Sequence, residues 1–342
     1  MKVFIVFAHP SAHSLNATLK DHAVRTLQEA GHEVKISDIY AMNWKAIADD
    51  DDFPERDRSH PLNYEAASGE AFRSGTQTPD VVTEQGKLLW ADVVILQFPL
   101  WWYGMPAILK GWVERVYAKG FAYGRGLQGN ANYGERYGEG VLQGKRAMVC
   151  VTAGGRVAHY GPRGIGGQID DLLWPIQHGV LFYPGMTVVP PTVFYEVRKA
   201  DDAGVRAFCE HYESRLLSIM ETEPIPYRTQ NGGDYDEYQT VRSEFAIDSV
   251  GQFVHQSTPL FISNIEMTGP VDFSPVHFAR DSRSTNYVGA DTPEPTDDPA
   301  DIFQSTVGHA PLEEAKQSGS RVSLDNPRLT LDVAADIPRC LS

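Results

Sequence analysis

The chain has 342 residues, 42% of them hydrophobic, enough for two domains or for one large α/β domain with additions. Thirty basic residues against 45 acidic ones leave a net charge of −15, which argues against nucleic-acid binding through phosphate contacts. Three scattered cysteines, Cys150, Cys209 and Cys340, make neither a disulfide framework nor a zinc site and fit a reducing compartment.

The first apolar run, Val3–Ala8, reads as a strand buried on both faces. It ends at His9-Pro10 and is too short for a signal segment or a membrane span, so a cytoplasmic protein without membrane insertion is expected. Ser14–Ala30 has helical spacing, with Leu15, Leu19, Ala23 and Leu27 four apart and Gly31 at the C-cap position. Val34–Ile39 reads as a second strand. The run Asp49–Asp52, near Pro54 and Pro61, reads as a solvated surface loop. Val81–Trp90 reads as a helix leading into a third strand, Val93–Phe98. Pro106–Tyr117 reads as a helix with one apolar stripe through Ile108, Leu109, Trp112, Val113 and Val116.

Residues 119–144 are too rich in glycine for a regular element and read as a long loop or an irregular hairpin. Arg146–Thr152 is the fourth strand and Thr187–Val193 the fifth. Between them, Gln168–Gly179 reads as a helix interrupted at Pro175. Val205, Phe208, Cys209, Tyr212, Leu216 and Met220 form the stripe of a last helix. Strands alternating with helices predict a doubly wound parallel α/β sheet, and five strands suit the flavodoxin-like order 2-1-3-4-5. From Pro224 the pattern changes to Gly, Asp, Tyr and Pro. Residues 256–342 carry 13 acids and 6 bases with no sustained period, and a disordered tail is expected there.

Three segments carry chemistry. The first strand–helix turn, residues 8–16, lacks the glycine pattern of a dinucleotide-binding turn. It places hydroxyl and amide side chains at a helix N-terminus, where Ser14 or Asn16 can serve as an N-cap or help hold an anion. After the third strand come Pro99-Leu100-Trp101-Trp102-Tyr103-Gly104, at the sheet end where open α/β folds bind ligands. These aromatics suit either loop packing or a planar ligand. After the fourth strand comes Thr152-Ala153-Gly154-Gly155, whose backbone N–H groups can approach a ligand closely, followed by Tyr160.

Residues 1–222 resemble the NAD(P)H:quinone oxidoreductase (DT-diaphorase) family of flavoenzymes. The resemblance is carried by Gln97–Leu100, Pro106–Trp112, Glu114–Val116, Phe121–Tyr123, Leu173–Gln177 and Asp38–Asn43. It implies a catalytic domain over 1–222, a small C-terminal lobe or arm over 223–255 and an acidic extension over 256–342. It implies bound FAD, NADH or NADPH as reductant, a quinone as acceptor and a homodimer. His9, Leu15 and Asn16 map onto the family's pyrophosphate contacts. Pro99, Leu100, Trp102, Tyr103, Thr152, Gly154, Gly155 and Tyr160 map onto its flavin-ring contacts. Trp102, Tyr103 and Gly155 of one chain would face Tyr123 and Arg125 of the other across the substrate pocket. Hydride would pass from the nicotinamide to the flavin and then to the quinone in ping-pong order, with Tyr160 and the Gly154–Gly155 turn as hydrogen-bond donors.

The sequence departs from the family at two places. The histidine expected six residues after Tyr160 is Gly166, leaving His159 as a catalytic candidate, and the family's second pocket tyrosine is Arg125. The loop 124–144 resembles bacterial-type members. Two other readings stand beside this one: an FMN-dependent azoreductase- or nitroreductase-like enzyme, and a flavin-binding regulatory subunit of a potassium efflux system.

Overall fold

The computed structural model describes residues 1–126, 128–129, 132–246 and 251–258. The expected tail therefore lies, from residue 259 onward, outside the described residues. Strand β1 (Lys2–Phe7) leads into helix α1 (Leu15–Glu29) and strand β2 (Glu33–Asp38). Helices α2 (Tyr64–Ser74) and α3 (Pro79–Trp90) precede strand β3 (Val93–Pro99) and helix α4 (Ala107–Val116). The glycine-rich stretch holds the short antiparallel pair β4 (Gln128–Gly129) and β5 (Asn132–Tyr133), the irregular hairpin expected there. Strand β6 (Arg146–Thr152), helix α5 (Ile169–Ile176), strands β7 (Thr187–Val188) and β8 (Thr192–Phe194) and helix α6 (Asp202–Leu217) complete the domain.

The parallel sheet runs β2-β1-β3-β6-β7, and β8 also pairs with β6. Leaving out the small hairpin, this is the expected 2-1-3-4-5 order, with the fifth strand divided. The division falls at Pro190-Pro191, where two residues without an N–H cannot continue a ladder.

The two-residue period of β1 sorts its side chains between two cores. Val3, Ile5 and Phe7 pack with α1 and α6 residues such as Leu19, Leu27, Tyr212 and Leu216. Phe4, Val6 and Ala8 pack on the opposite face with Leu88, Leu109, Trp112 and Leu173 from α3, α4 and α5. The second core contains a buried carboxylate. Glu84 accepts from Ser37 Oγ at 2.6 Å, Lys87 Nζ at 2.6 Å and Trp112 Nε1 at 2.9 Å, so no member of the group is left unpaired. Among the described residues, no helix is long and apolar enough to cross a membrane.

Three local expectations are corrected. Helix α2 was not anticipated; its Ala66-Ala67-Ser68-Gly69 core shows little apolar periodicity. Asp52 is not solvated. It is 5% exposed and accepts from Arg115 Nε at 2.8 Å and Lys45 Nζ at 3.1 Å. The Arg115 guanidinium in turn lies 4.6 Å over the Trp44 ring. Pro175 does not interrupt its helix. The helical path runs through it and widens into a π-helical segment, Gln177–Phe182, immediately afterwards.

Gly111 brings α4 against the chain at Ala46: a Cβ there would lie 1.9 Å from the Ala46 carbonyl oxygen. Gly111→Ala should gain about 1 kcal/mol of helix propensity and lose more to this clash. A net destabilisation of about 1–3 kcal/mol in urea unfolding is expected; an unchanged or raised midpoint would contradict the close approach.

Burial lowers the pKa of His178 to about 3, with His255 a secondary cause. Its folded value is depressed, so below the ordinary imidazole value of 6.5 the unfolded chain binds a proton that the folded chain refuses. Stability therefore falls with falling pH by about 1.4 kcal/mol per unit for this group. Between pH 6 and 4, unfolding curves of His178→Phe should decline less steeply than those of the unsubstituted chain; parallel curves would rule out a buried neutral imidazole.

Candidate functional site

The carboxyl ends of β1, β3 and β6 bring three loops together. The first follows β1. Ser14 caps α1, its Oγ accepting from the Ala17 N–H at 3.1 Å and donating to the Ser11 carbonyl at 2.9 Å. His9 sits ahead of the cap, its Nδ1 accepting from the Ser11 N–H at 3.0 Å, and its ring lies 6.0 Å from that of Trp101.

Asn16, one residue into the helix, is 5% exposed. Its Nδ2 donates to Thr152 Oγ1 at 2.8 Å, while its Oδ1 is buried with no partner. Gln97, fully buried in β3, donates to the Asn16 carbonyl at 2.8 Å and accepts from the Tyr212 hydroxyl at 3.2 Å. Gln97 and Tyr212 were not among the expected site residues. The signal for Gln97 was a lone amide within the apolar strand Val93–Phe98; Tyr212 read as an ordinary member of a helical stripe.

The second loop is a two-residue turn. Trp101 and Gly104 exchange both backbone hydrogen bonds at 3.1 Å, with Trp102 and Tyr103 at its tip. Both tip residues are left-handed, with φ of 49° and 62°. Such a turn favours Asn-Gly; two bulky aromatics there carry strain of about 1–3 kcal/mol each. The closed turn leaves Trp102 97% exposed and Tyr103 and Trp101 about half exposed. The loop is anchored behind by the Leu100 N–H on the Thr152 carbonyl at 2.9 Å.

The third loop follows β6. The Gly155 carbonyl accepts from the Glu196 N–H at 3.0 Å, and among the described residues no backbone acceptor takes the Gly154 N–H. A Cβ at Gly154 would meet no atom closer than 3.8 Å, whereas one at Gly155 would lie 2.9 Å from the Tyr160 ring. Gly155 is thus required by the tyrosine seated against it. Tyr160 is 9% exposed, and burial, reinforced by Tyr103, raises its pKa, which keeps the phenol protonated and a donor.

His159 meets Tyr160 edge-on at 4.8 Å between ring centroids. Its imidazole fills the space beside Gly166: a Cβ on Gly166 would lie 2.4 Å from His159 Cδ2 and 2.5 Å from Nε2. The ring thus stands where a side chain at the family's histidine position would begin.

Tyr123 lines a separate cavity of about 670 Å³ with Tyr64, Tyr117 and Tyr183, and Arg125 is exposed, its Nε 3.9 Å from Glu135. The lining of that cavity includes neither Trp102 nor Gly155. Val157 and Ile165, the latter 93% accessible, are exposed apolar residues of the Gly155–Gly167 loop.

Comparison with known proteins shows the family to which the chain belongs. Residues 1–216 match the family model for the flavodoxin-like fold. The chain is 51% identical to the ribosyldihydronicotinamide dehydrogenase-like protein traD of Penicillium crustosum, over 69% of this chain and 87% of that protein. It is 38% identical to the ribosyldihydronicotinamide dehydrogenase [quinone] of Homo sapiens, over 66% of this chain and 94% of the human one. A structure from Klebsiella pneumoniae assigned as a quinone reductase superposes with a TM-score of 0.74 at 54% identity, covering 75% of this chain and 99% of that one. The chain belongs to the flavodoxin-like oxidoreductases of the NAD(P)H dehydrogenase (quinone) family.

The fit of His159 beside Gly166 gives a double-substitution test. Gly166→Ala should destabilise the chain, and His159→Ala should relieve most of that loss by emptying the occupied space. A coupling of about 1 kcal/mol or more is expected from the thermodynamic cycle. Additive losses would show that the imidazole does not occupy the space beside Gly166.

Proposed function

We propose that this chain is a flavin-dependent NAD(P)H:quinone reductase. The observation that carries the reading is the strained Trp102–Tyr103 turn, which holds an almost fully exposed indole at the ligand-binding end of the sheet. The residues fit a flavin. The orphaned, buried Asn16 Oδ1 and the capped N-terminus of α1 offer hydrogen-bonding partners for a ribityl–phosphate chain. Open space at Gly154 and its N–H suit the edge of a flat ring. We assign His9, Leu15 and Asn16 to the phosphate side. Pro99, Leu100, Trp102, Tyr103, Thr152, Gly154, Gly155 and Tyr160 are assigned to the ring. The names of the relatives, which include quinone dehydrogenases, support the reaction, and the resemblance of residues 1–222 supports FAD over FMN.

A flavin bound there supplies two-electron transfer between a nicotinamide and an acceptor. The chain's own residues supply binding and electrostatics. Trp102 and Tyr103 form an apolar wall on which a planar substrate stacks. The Gly154 N–H and the Tyr160 hydroxyl would hold the ring as hydrogen-bond donors, in a partly dry setting where such bonds are strong. His159 holds Tyr160 from the side.

We further propose a homodimer in the cytoplasm, with Tyr123 and Arg125 of one protomer completing the pocket of the other. The exposed Trp102 and Ile165 support a surface covered in the assembly. Residues 1–222 are taken as the catalytic domain, 223–255 as an arm and 256–342 as an extension.

The visible spectrum of the purified chain tests the reading. Extracted flavin should have the mass of FAD, and its absorption should bleach with anaerobic NADH or NADPH and return on adding a quinone. FMN, or flavin that stays oxidised, would reject the proposal in this form. Tyr160→Phe should slow anaerobic flavin reduction by about tenfold, the worth of one well-placed donor, with flavin content unchanged. Unaltered stopped-flow rates would remove Tyr160 from the mechanism.

A further inference from the structure

Strand β3 is apolar throughout except at Gln97. The side chain of Gln97 points, with those of Val93 and Ile95, toward α1 and α6, and it is fully buried there, as is Tyr212. A core built for packing alone has no need of this pair. Two apolar side chains of the same shapes would fill the space and leave no polar atom to satisfy.

The direction of the link is fixed from one end. The Asn16 carbonyl can only accept, so Gln97 turns its amide nitrogen to it, at 2.8 Å, and its oxygen to α6. The Tyr212 hydroxyl must then donate to that oxygen, at 3.2 Å. Burial, with Cys150 a secondary cause, raises the Tyr212 pKa, so this hydroxyl keeps its proton.

The other end of the link reaches the strand-end crevice. Asn16 Nδ2 donates to Thr152 Oγ1 at 2.8 Å, which commits the nitrogen side of the Asn16 amide and one lone pair of the hydroxyl. Two functions remain over, the Asn16 Oδ1 acceptor and the Thr152 hydroxyl proton; no hydrogen bond among the described residues engages either. A neighbouring acceptor and donor match a polyhydroxyl chain, whose groups can each give and take a bond. A buried network in which each inner member is bonded holds one arrangement of its ends.

We propose that Gln97 and Tyr212 are positioning residues for the flavin: they hold Asn16 so that its Oδ1 and the Thr152 hydroxyl are presented together to the ribityl chain. The inference rests on the flavin reading of the site given above. Neither residue touches solvent, and both act through Asn16.

The test measures flavin release from the full chain, purified with its flavin and then diluted, by the fluorescence of the freed flavin. The paired variant Gln97→Met with Tyr212→Phe leaves neither partner's polar group behind. It should raise the flavin dissociation constant about tenfold, the worth of one hydrogen bond. Asn16→Ala should raise it by a similar factor, and adding the paired substitutions to Asn16→Ala should raise it no further. Tyr212→Phe alone, which removes one oxygen and keeps the ring, should shift release in the same direction. Glu213→Ala removes the other polar contact between α6 and α1, His22 Nε2 with Glu213 Oε2 at 3.1 Å, and should leave release unchanged. Unaltered release from the paired variant and from Tyr212→Phe overturns the proposal. So do equal losses with and without Asn16, which would make the effect independent of it, and an equal loss in Glu213→Ala, which would reduce it to the seating of α6. A chain that carries no flavin before any substitution overturns the flavin reading itself, and this inference with it.

Discussion

A buried chain of hydrogen bonds, from Tyr212 through Gln97 to Asn16 and on to Thr152, is the constraint on which the strand-end geometry rests. An amide in the middle of a parallel sheet costs several kcal/mol unless both its ends are bonded. Gln97 meets that condition only because α6 delivers a tyrosine hydroxyl to its oxygen and α1 delivers a backbone carbonyl to its nitrogen. The two helices on one face are therefore tied to the central strand at a single depth. That depth sets where the first turn of α1 and the end of β6 stand relative to each other. The same chain leaves one atom over, Asn16 Oδ1, on the buried side of the crevice.

The turn at Trp102–Tyr103 depends on that frame. Two left-handed aromatics oppose the local preference of the backbone, and a free loop would relax. Here the backbone pair between Trp101 and Gly104, with the Leu100–Thr152 bond behind it, holds the turn closed. The conformational strain is spent on exposure: an indole that would stabilise a core is held in solvent. Stability is traded for surface at one end of the sheet, while the opposite requirement, a Glu84 carboxylate fully paired inside the core, is met without strain.

Much of this was legible in the amino-acid sequence, and the failures share a cause. Val3–Ala8, Val93–Phe98 and Arg146–Thr152 announce themselves because a strand buried on both faces must be apolar throughout. The glycine pair and the aromatic run after two of those strands mark the loops of the site by chemistry alone. The burial of Asp52 was not legible because its partner, Arg115, lies 63 residues away in sequence. The link from Gln97 to Tyr212 spans 115 residues and was equally invisible. Pro190-Pro191 was present in the expected fifth strand, and the absence of two N–H groups should have divided it. Tyr123 and Arg125 came only from family resemblance, and the cavity that Tyr123 lines includes none of the strand-end loop residues.

The loop from His159 to Gly167 shows how one departure from a family pattern is absorbed. Gly166 removes a side chain, and the imidazole of His159 enters the vacated space from seven residues upstream. Gly164 makes the approach possible, since a Cβ there would lie 2.1 Å from the His159 carbonyl oxygen. The exchange preserves bulk next to Tyr160 but not bonding, because the two rings meet edge to face at 68°. A tyrosine so held, with its phenol kept protonated by burial, can still donate a hydrogen bond.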